Sequence, residues 1–111
     1  MYLPDDLKEK IVESICSAIP VEQIILFGSY ARGEATKSSD IDLYVITVDD
    51  GTRPMEKGIK ARLALRWLRT DKDIIVNTLD TFNLLRDDLE FIEYQVSREG
   101  VVLYSTPHVQ E

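Results

Sequence analysis

The feature that most constrains the fold is a short apolar run, Gln23-Ile24-Ile25-Leu26-Phe27, that ends abruptly at Gly28 and Ser29. This pattern predicts a buried strand that enters a turn. Gly28 allows close approach of the main chain to a ligand, and Tyr30-Ala31-Arg32 can open a helical turn with free N–H groups. Ser29 would add a hydroxyl and Arg32 a positive charge. These features suit a phosphate, and they are also compatible with an ordinary turn.

Two aspartates begin the next apolar run. Asp40 and Asp42 flank Ile41, and Leu43-Tyr44-Val45-Ile46 follows. In a strand the period of two would put both carboxylates on one face. Adjacent carboxylates raise one another's pKa, and divalent cations such as Mg²⁺ neutralise them. The pair therefore predicts a metal site, with a solvated strand end as the alternative.

A third carboxylate is expected on a neighbouring strand, because two-metal phosphoryl chemistry needs further oxygen ligands. Asp73 begins the β-branched run Ile74-Ile75-Val76 and could lie beside Asp40 and Asp42 if the two strands pair. Asp71 competes for the role from an earlier loop position. Asp73 could also be a simple polar residue at a strand entrance.

Taken together, Gly28-Ser29, Asp40-x-Asp42 and Asp73 resemble the signature of the DNA polymerase beta-type nucleotidyltransferase superfamily. Within it the chain is most similar to the small prokaryotic minimal nucleotidyltransferases, and the resemblance extends from about Val21 to Tyr104. It implies an α/β (α+β) nucleotidyltransferase fold, with a mixed sheet of about four strands and helices packed on it. Residues 1–111 are interpreted as one such domain.

The resemblance also implies Mg²⁺-dependent transfer of AMP from ATP to a hydroxyl, with release of pyrophosphate. The implied triphosphate contacts are Gly28, Ser29 and Arg32. The implied catalytic and metal-binding residues are Asp40, Asp42 and Asp73, of which the last would also help to activate the acceptor.

Many proteins of this group act as antitoxins of a HEPN-type toxin, in characterised cases by adding AMP to one of its tyrosines. The resemblance therefore implies a toxin partner. Two alternatives remain open: a binding antitoxin or regulatory module without catalysis, and a small-molecule adenylyltransferase.

Composition and a few single residues disfavour several classes of partner, location and chemistry. The 20 acidic and 13 basic residues give a net charge of −7, which disfavours nucleic acid as the main partner. No segment suits a membrane span or a signal peptide, so a cytoplasmic location is expected. Cys16 falls in a helical apolar pattern and is predicted to be a buried structural thiol. His108 stands alone in a polar tail, and zinc is not expected there.

Periodicity and turn residues predict the remaining elements. The predicted helices are Asp5–Ile19, Arg53–Arg69, Asp80–Arg86 with Asp80 as its cap, and Asp88–Arg98. The predicted strands are Gln23–Phe27, Asp40–Val48, Asp73–Thr78 and an edge strand, Val101–Tyr104.

The helix predicted at Arg53–Arg69 has two apolar groups instead of one stripe. The first group is Ala61, Ala64, Leu65 and Leu68. The second is Ile59, Leu63 and Trp67. Basic residues line the boundaries between the two groups: Arg53 and Lys60 on one side, and Arg62, Arg66 and Arg69 on the other. Because only one group can pack on the sheet, the second is a candidate partner surface anchored by Trp67. The alternative is that the loop after Val48 or the C-terminal helices cover Trp67.

Overall fold

The computed structural model describes residues 1–107 and 109, and it places four strands in one mixed sheet. The strands are β1 (Val21–Phe27), β2 (Ile41–Thr47), β3 (Lys72–Thr78) and β4 (Val101–Ser105). The helices are α1 (Asp5–Ala18), α2 (Ser29–Arg32), α3 (Pro54–Ala64), α4 (Leu79–Leu85) and α5 (Ile92–Glu99). The strand order is β3-β2-β1-β4. β1 is antiparallel to both of its neighbours, whereas β2 and β3 are parallel. The predicted fold class is confirmed, including β4 at an edge.

Helices cover both faces of the sheet because the two central strands are apolar on both sides. On one face α1 and α3 pack on side chains such as Ile24 and Leu43. On the other face α4 and α5 pack on side chains such as Ile25 and Tyr44. The alternation of a strand assigns each residue to one of these layers. Asp42 shares the face of Tyr44, and its neighbour Ile41 is buried on the α1/α3 face.

The chain path brings the two sequence motifs together. β1 runs antiparallel to β2, with Phe27 at the end of β1 opposite Asp42 near the start of β2. The turn that follows Phe27 therefore begins beside the first carboxylate of β2. The parallel pairing of β2 and β3 then places Asp73 level with Asp42.

Two helices are shorter than predicted. α3 ends at Ala64, and the chain continues in tighter turns in which Leu68 N–H donates to the Leu65 carbonyl at 2.9 Å. These i→i+3 turns preserve an apparent helical periodicity, which explains the overestimate. α5 begins at Ile92 because the Asp88 side chain accepts from Glu90 N–H at 3.0 Å and forms a turn of its own.

Two single-residue predictions are wrong. Thr78 caps α4 by accepting from Thr81 N–H, while Asp80 lies within the first turn. Cys16 is exposed, because it lies about 100° around α1 from the buried Ile15.

His108 lies outside the described residues. Among the residues that are described, no helix is long and apolar enough to cross a membrane.

Candidate nucleotide and metal site

The turn after β1 has a backbone conformation that requires glycine. Gly28 has φ 76° and ψ −157°, which is unfavourable for residues with a Cβ. Its carbonyl accepts from the N–H groups of Ala31 and Arg32 at 3.0 and 3.2 Å, and this starts the short helix α2. Tyr30 is buried against the α1/α3 layer and anchors that helix to the core. The sequence here thus builds a fixed turn that presents Ser29 at its apex.

The three predicted carboxylates lie at one end of the sheet. Asp42 and Asp73 are in register on adjacent strands, so both side chains project from the α4/α5 face. Asp40 immediately precedes β2 and is exposed, whereas Asp42 is half-buried. Asp71 stays in the loop before β3, and its carbonyl accepts from Ile41 N–H at 2.9 Å. Of the two competing aspartates, Asp73 is therefore the one level with Asp42.

Asp42 is the electrostatic centre of this group. Burial raises the pKa of its carboxyl, and the charges of Asp73 and Asp40 raise it further, while Arg32 opposes the shift. The turn is also in direct contact with it, since a Cβ on Gly28 would collide with Asp42 Oδ2. The absence of a side chain at Gly28 thus lets the Asp42 carboxylate pack directly against the turn.

Arg32 is held by two carboxylates. Its Nε donates to Glu34 at 2.8 Å and its Nη1 donates to Glu99 Oε2 at 2.8 Å. The pKa of Arg32 is raised, chiefly by the hydrogen bond to Glu34, which keeps the guanidinium charged. Glu99 Oε2 also accepts from Gly28 N–H at 2.7 Å. Glu99 is not among the residues predicted from the sequence, although it carries an unusual signal: an acidic residue at a helix C-terminus, where the helix dipole disfavours it.

Asp73 has a basic neighbour on α3. Arg62 Nη2 lies 3.7 Å from Asp73 Oδ1 and donates to the Ile74 carbonyl at 3.3 Å. Because β3 is an edge strand, this side chain both protects the open edge and offsets the charge of Asp73. The basic rim of α3 had been noted in the sequence, but its contact with Asp73 depends on how α3 packs.

A polar network is buried behind the carboxylates on the same face. Tyr44 OH donates to Glu93 Oε2 at 2.7 Å, and Asn77 Nδ2 lies 3.4 Å from the same oxygen. Burial, followed by the interaction with Glu93, raises the pKa of Tyr44. The network ties α5 to the two strands that carry Asp42 and Asp73. It therefore fixes α5 against the two strands of the site.

The oxygen donors suit a hard divalent cation such as Mg²⁺, which prefers carboxylates together with substrate phosphates. Within the described part of the chain, no three acidic, His or Cys side chains already converge as a metal-binding group. The carboxylate of Asp73 is engaged with Arg62, on the outer side of the group. Asp42 is half-buried and in contact with the Gly28 turn, so it is the most enclosed of the three predicted carboxylates, and the metal site that they would form together stays a prediction.

The fold and the site define a protein of the nucleotidyltransferase class. Residues 8–104 match the nucleotidyltransferase domain family, so the chain belongs to that family and the resemblance seen in the sequence is confirmed.

The chain is similar to three proteins whose names indicate a function. Over 45 residues the chain is 40% identical to MJ0604 of Methanocaldococcus jannaschii, named as a candidate protein adenylyltransferase; the match covers 35% of this chain and 45% of that protein. A crystal structure of a toxin-antitoxin with AMP-PNP has 28% identity and a TM-score of 0.64, covering 91% of this chain and 75% of the other. A double Asp→Glu variant of the toxin-antitoxin MntA-HpeT has 25% identity and a TM-score of 0.67, with the same coverage.

Proposed function

We propose that this protein is a Mg²⁺-dependent nucleotidyltransferase that moves AMP from ATP to a hydroxyl, and that it acts as the antitoxin of a HEPN-type toxin by modifying a toxin tyrosine. The observation that carries the proposal is the register of Asp42 and Asp73 beside the Gly28 turn. A protein that only binds a partner has no physical need for a glycine turn and carboxylates at one point. The toxin-antitoxin relatives support the partner class.

The proposed role of each site residue is based on its position in the fold. Ser29 and Arg32 would contact the triphosphate, since both lie on the helical turn that follows Gly28. Asp40 and Asp42 would hold Mg²⁺, and Asp73 would complete the metal site and orient the acceptor hydroxyl. Bound Mg²⁺ would supply positive charge for the phosphates and lower the pKa of the attacking group.

The candidate partner surface consists of Ile59, Leu63 and Trp67, which are 55%, 58% and 38% exposed. Trp67 is fixed against α1: its Nε1 donates to Ser14 Oγ at 2.9 Å, and Lys10 Nζ lies 4.7 Å from the ring centre. The three residues are spaced four apart in the sequence: Ile59 and Leu63 lie on α3, and Trp67 lies in the turns that follow it. Exposed apolar strips with a fixed aromatic ring are typical of protein interfaces.

The activity is tested by transfer of label from α-labelled ATP with Mg²⁺ to whatever HEPN-type protein a neighbouring gene encodes, after purification. We expect wild type to label the toxin and Asp42→Asn to fail. Toxin bound by both proteins without label would contradict catalysis and favour the binding antitoxin. Catalysis and binding need separate tests, because the apolar surface could neutralise a toxin by contact alone.

The surface is tested separately by co-purification of the toxin with Leu63→Asp and Trp67→Asp. Leu63→Asp adds a charge at an exposed position, so the fold should survive and binding should be lost. Leu84→Asp is the matched control, because Leu84 is 79% exposed on α4, across the sheet. Undiminished recovery of toxin with Leu63→Asp and Trp67→Asp would rule out this surface.

A further inference from the structure

We propose that Glu99 is a positioning residue for the triphosphate: its carboxylate fixes the Gly28 peptide and Arg32, so that Ser29 and the free side of Arg32 face the nucleotide. This inference rests on the proposed function. Its basis is a single oxygen, Glu99 Oε2, that accepts from three donors on two separate parts of the chain.

The three donors are Gly28 N–H at 2.7 Å, Arg32 Nη1 at 2.8 Å and Gln95 Nε2 at 3.2 Å. The side chain of Glu99 is 23% exposed and that of Arg32 is 40% exposed, so the bond from Gly28 N–H is better shielded from water than the bond from Arg32. Charge-assisted bonds of this kind are short and directional. The Gly28 peptide therefore cannot rotate without breaking its bond to Glu99.

The location of Glu99 also argues for a specific role. It is the last residue of α5, where the negative end of the helix dipole opposes a carboxylate. It also adds negative charge near Asp42, where charge already accumulates. A carboxylate that destabilises its own helix and adds to the repulsion among nearby carboxylates needs compensating partners, and such locally unfavourable residues are expected at functional sites. Here Gly28 N–H and Arg32 provide that compensation.

The N–H donors of the turn are divided between Glu99 and the proposed ligand. Gly28 N–H is directed at Glu99 and is not available to a ligand, while Arg32 is held through Nε and Nη1. Among the described residues, the second terminal nitrogen of Arg32, Nη2, makes no hydrogen bond and could donate to the triphosphate. A preorganised donor loses less freedom on binding than a mobile one, so fixing Arg32 should strengthen contact with the triphosphate.

The test is binding of AMP-PNP with Mg²⁺ to wild type, Glu99→Ala and Glu99→Gln, together with hydrogen exchange of Gly28 N–H by NMR. Glu99→Ala should raise Kd about tenfold or more, the size of one charge-assisted hydrogen bond, and speed exchange at Gly28. Glu99→Gln keeps an oxygen acceptor and should stay within about threefold of wild type with slow exchange. Glu34→Ala separates the two contacts: it removes the other carboxylate on Arg32 without touching Gly28, so exchange at Gly28 N–H should stay slow, and Kd should rise less than in Glu99→Ala.

Equal or tighter AMP-PNP binding by Glu99→Ala would overturn this inference alone, and tighter binding would make Glu99 a competitor of the phosphate. If Glu99→Ala does not fold, Glu99→Asp provides the same test, because its shorter carboxylate cannot reach all three donors. Unchanged affinity of that variant would also overturn the inference. No AMP-PNP binding by wild type would overturn the proposed function and this inference together.

Discussion

Asp42→Asn should make the metal-free protein more stable while removing its activity. Burial and the charges of Asp73 and Asp40 raise the pKa of Asp42. A carboxyl whose pKa is higher in the folded chain than in the unfolded chain binds its proton more tightly when folded. Its contribution favours the folded state at low pH and is lost as the pH rises through the folded-state pKa. At pH 7 the wild type therefore carries the cost of a charged Asp42, and the amide removes it.

The magnitude follows from the register of β2 and β3. Paired strands lie about 4.8 Å apart, so we take about 5 Å as the separation of the Asp42 and Asp73 carboxylates when both project straight from the sheet. Their repulsion is about 0.8 kcal/mol in a water-like dielectric and about 3 kcal/mol at an effective dielectric constant of 20. Because Asp73 is exposed, we expect a value near the lower end, about 1 kcal/mol. Over 111 residues this corresponds to a Tm increase of about 4 °C.

The assay is thermal unfolding at pH 7 in EDTA. Asp71→Asn is the matched control, since it makes the same change in net charge two residues before Asp73, and its Tm should not move comparably. At a pH low enough to protonate Asp42 in both states, the advantage of Asp42→Asn should disappear. Added Mg²⁺ with ATP should stabilise wild type and not this variant, because the ligand binds only the native site. A Tm for Asp42→Asn equal to or below that of wild type at pH 7 would refute the electrostatic argument.

Three further predictions test individual positions. Asp73→Asn should lower AMP transfer at least about a hundredfold while AMP-PNP binding falls much less, because this carboxylate acts on the acceptor; comparable turnover by Asp73→Asn and the Asp71→Asn control would remove that role. Gly28→Ala should lower the free energy of unfolding by about 2–3 kcal/mol, through the positive φ and the collision with Asp42, as measured by urea denaturation; an unchanged midpoint would contradict this assignment. Cys16 should react with a thiol reagent in the native protein because it is exposed, and more slowly than a free thiol at pH 7 because partial burial raises its pKa; labelling only after denaturation would show that it is covered.

The parts of the site that could be predicted are those encoded over short distances in the chain. The end of an apolar run at Gly28 and the alternation of Asp40 and Asp42 both follow from local periodicity. Asp73 needed only the further assumption that its strand lies beside β2. That assumption holds because the connection through α3 allows a parallel crossover, which sets Asp73 level with Asp42.

The parts that could not be predicted depend on tertiary contacts. Glu99 is 71 residues from the glycine whose N–H it accepts, and no periodicity links the two. Arg62 lies on the basic rim of α3 noted in the sequence, and only the packing of α3 directs it toward Asp73. The end of α3 was missed for a different reason. Its i→i+3 turns bury Leu65 and Leu68 as a longer helix would.

The balance of charge around the site leads to the last prediction, that ATP binds poorly without a divalent cation. Arg32 shares its positive charge with Glu34 and Glu99, and Arg62 is close to Asp73. The excess of carboxylates over free cations would therefore repel a triphosphate. Divalent cations reverse this repulsion by bridging the two sets of oxygens. We expect EDTA to weaken ATP binding at least about tenfold, a loss of about 1.4 kcal/mol, measured by calorimetry. Equally tight binding in EDTA and in Mg²⁺ would show that the turn holds phosphate by itself.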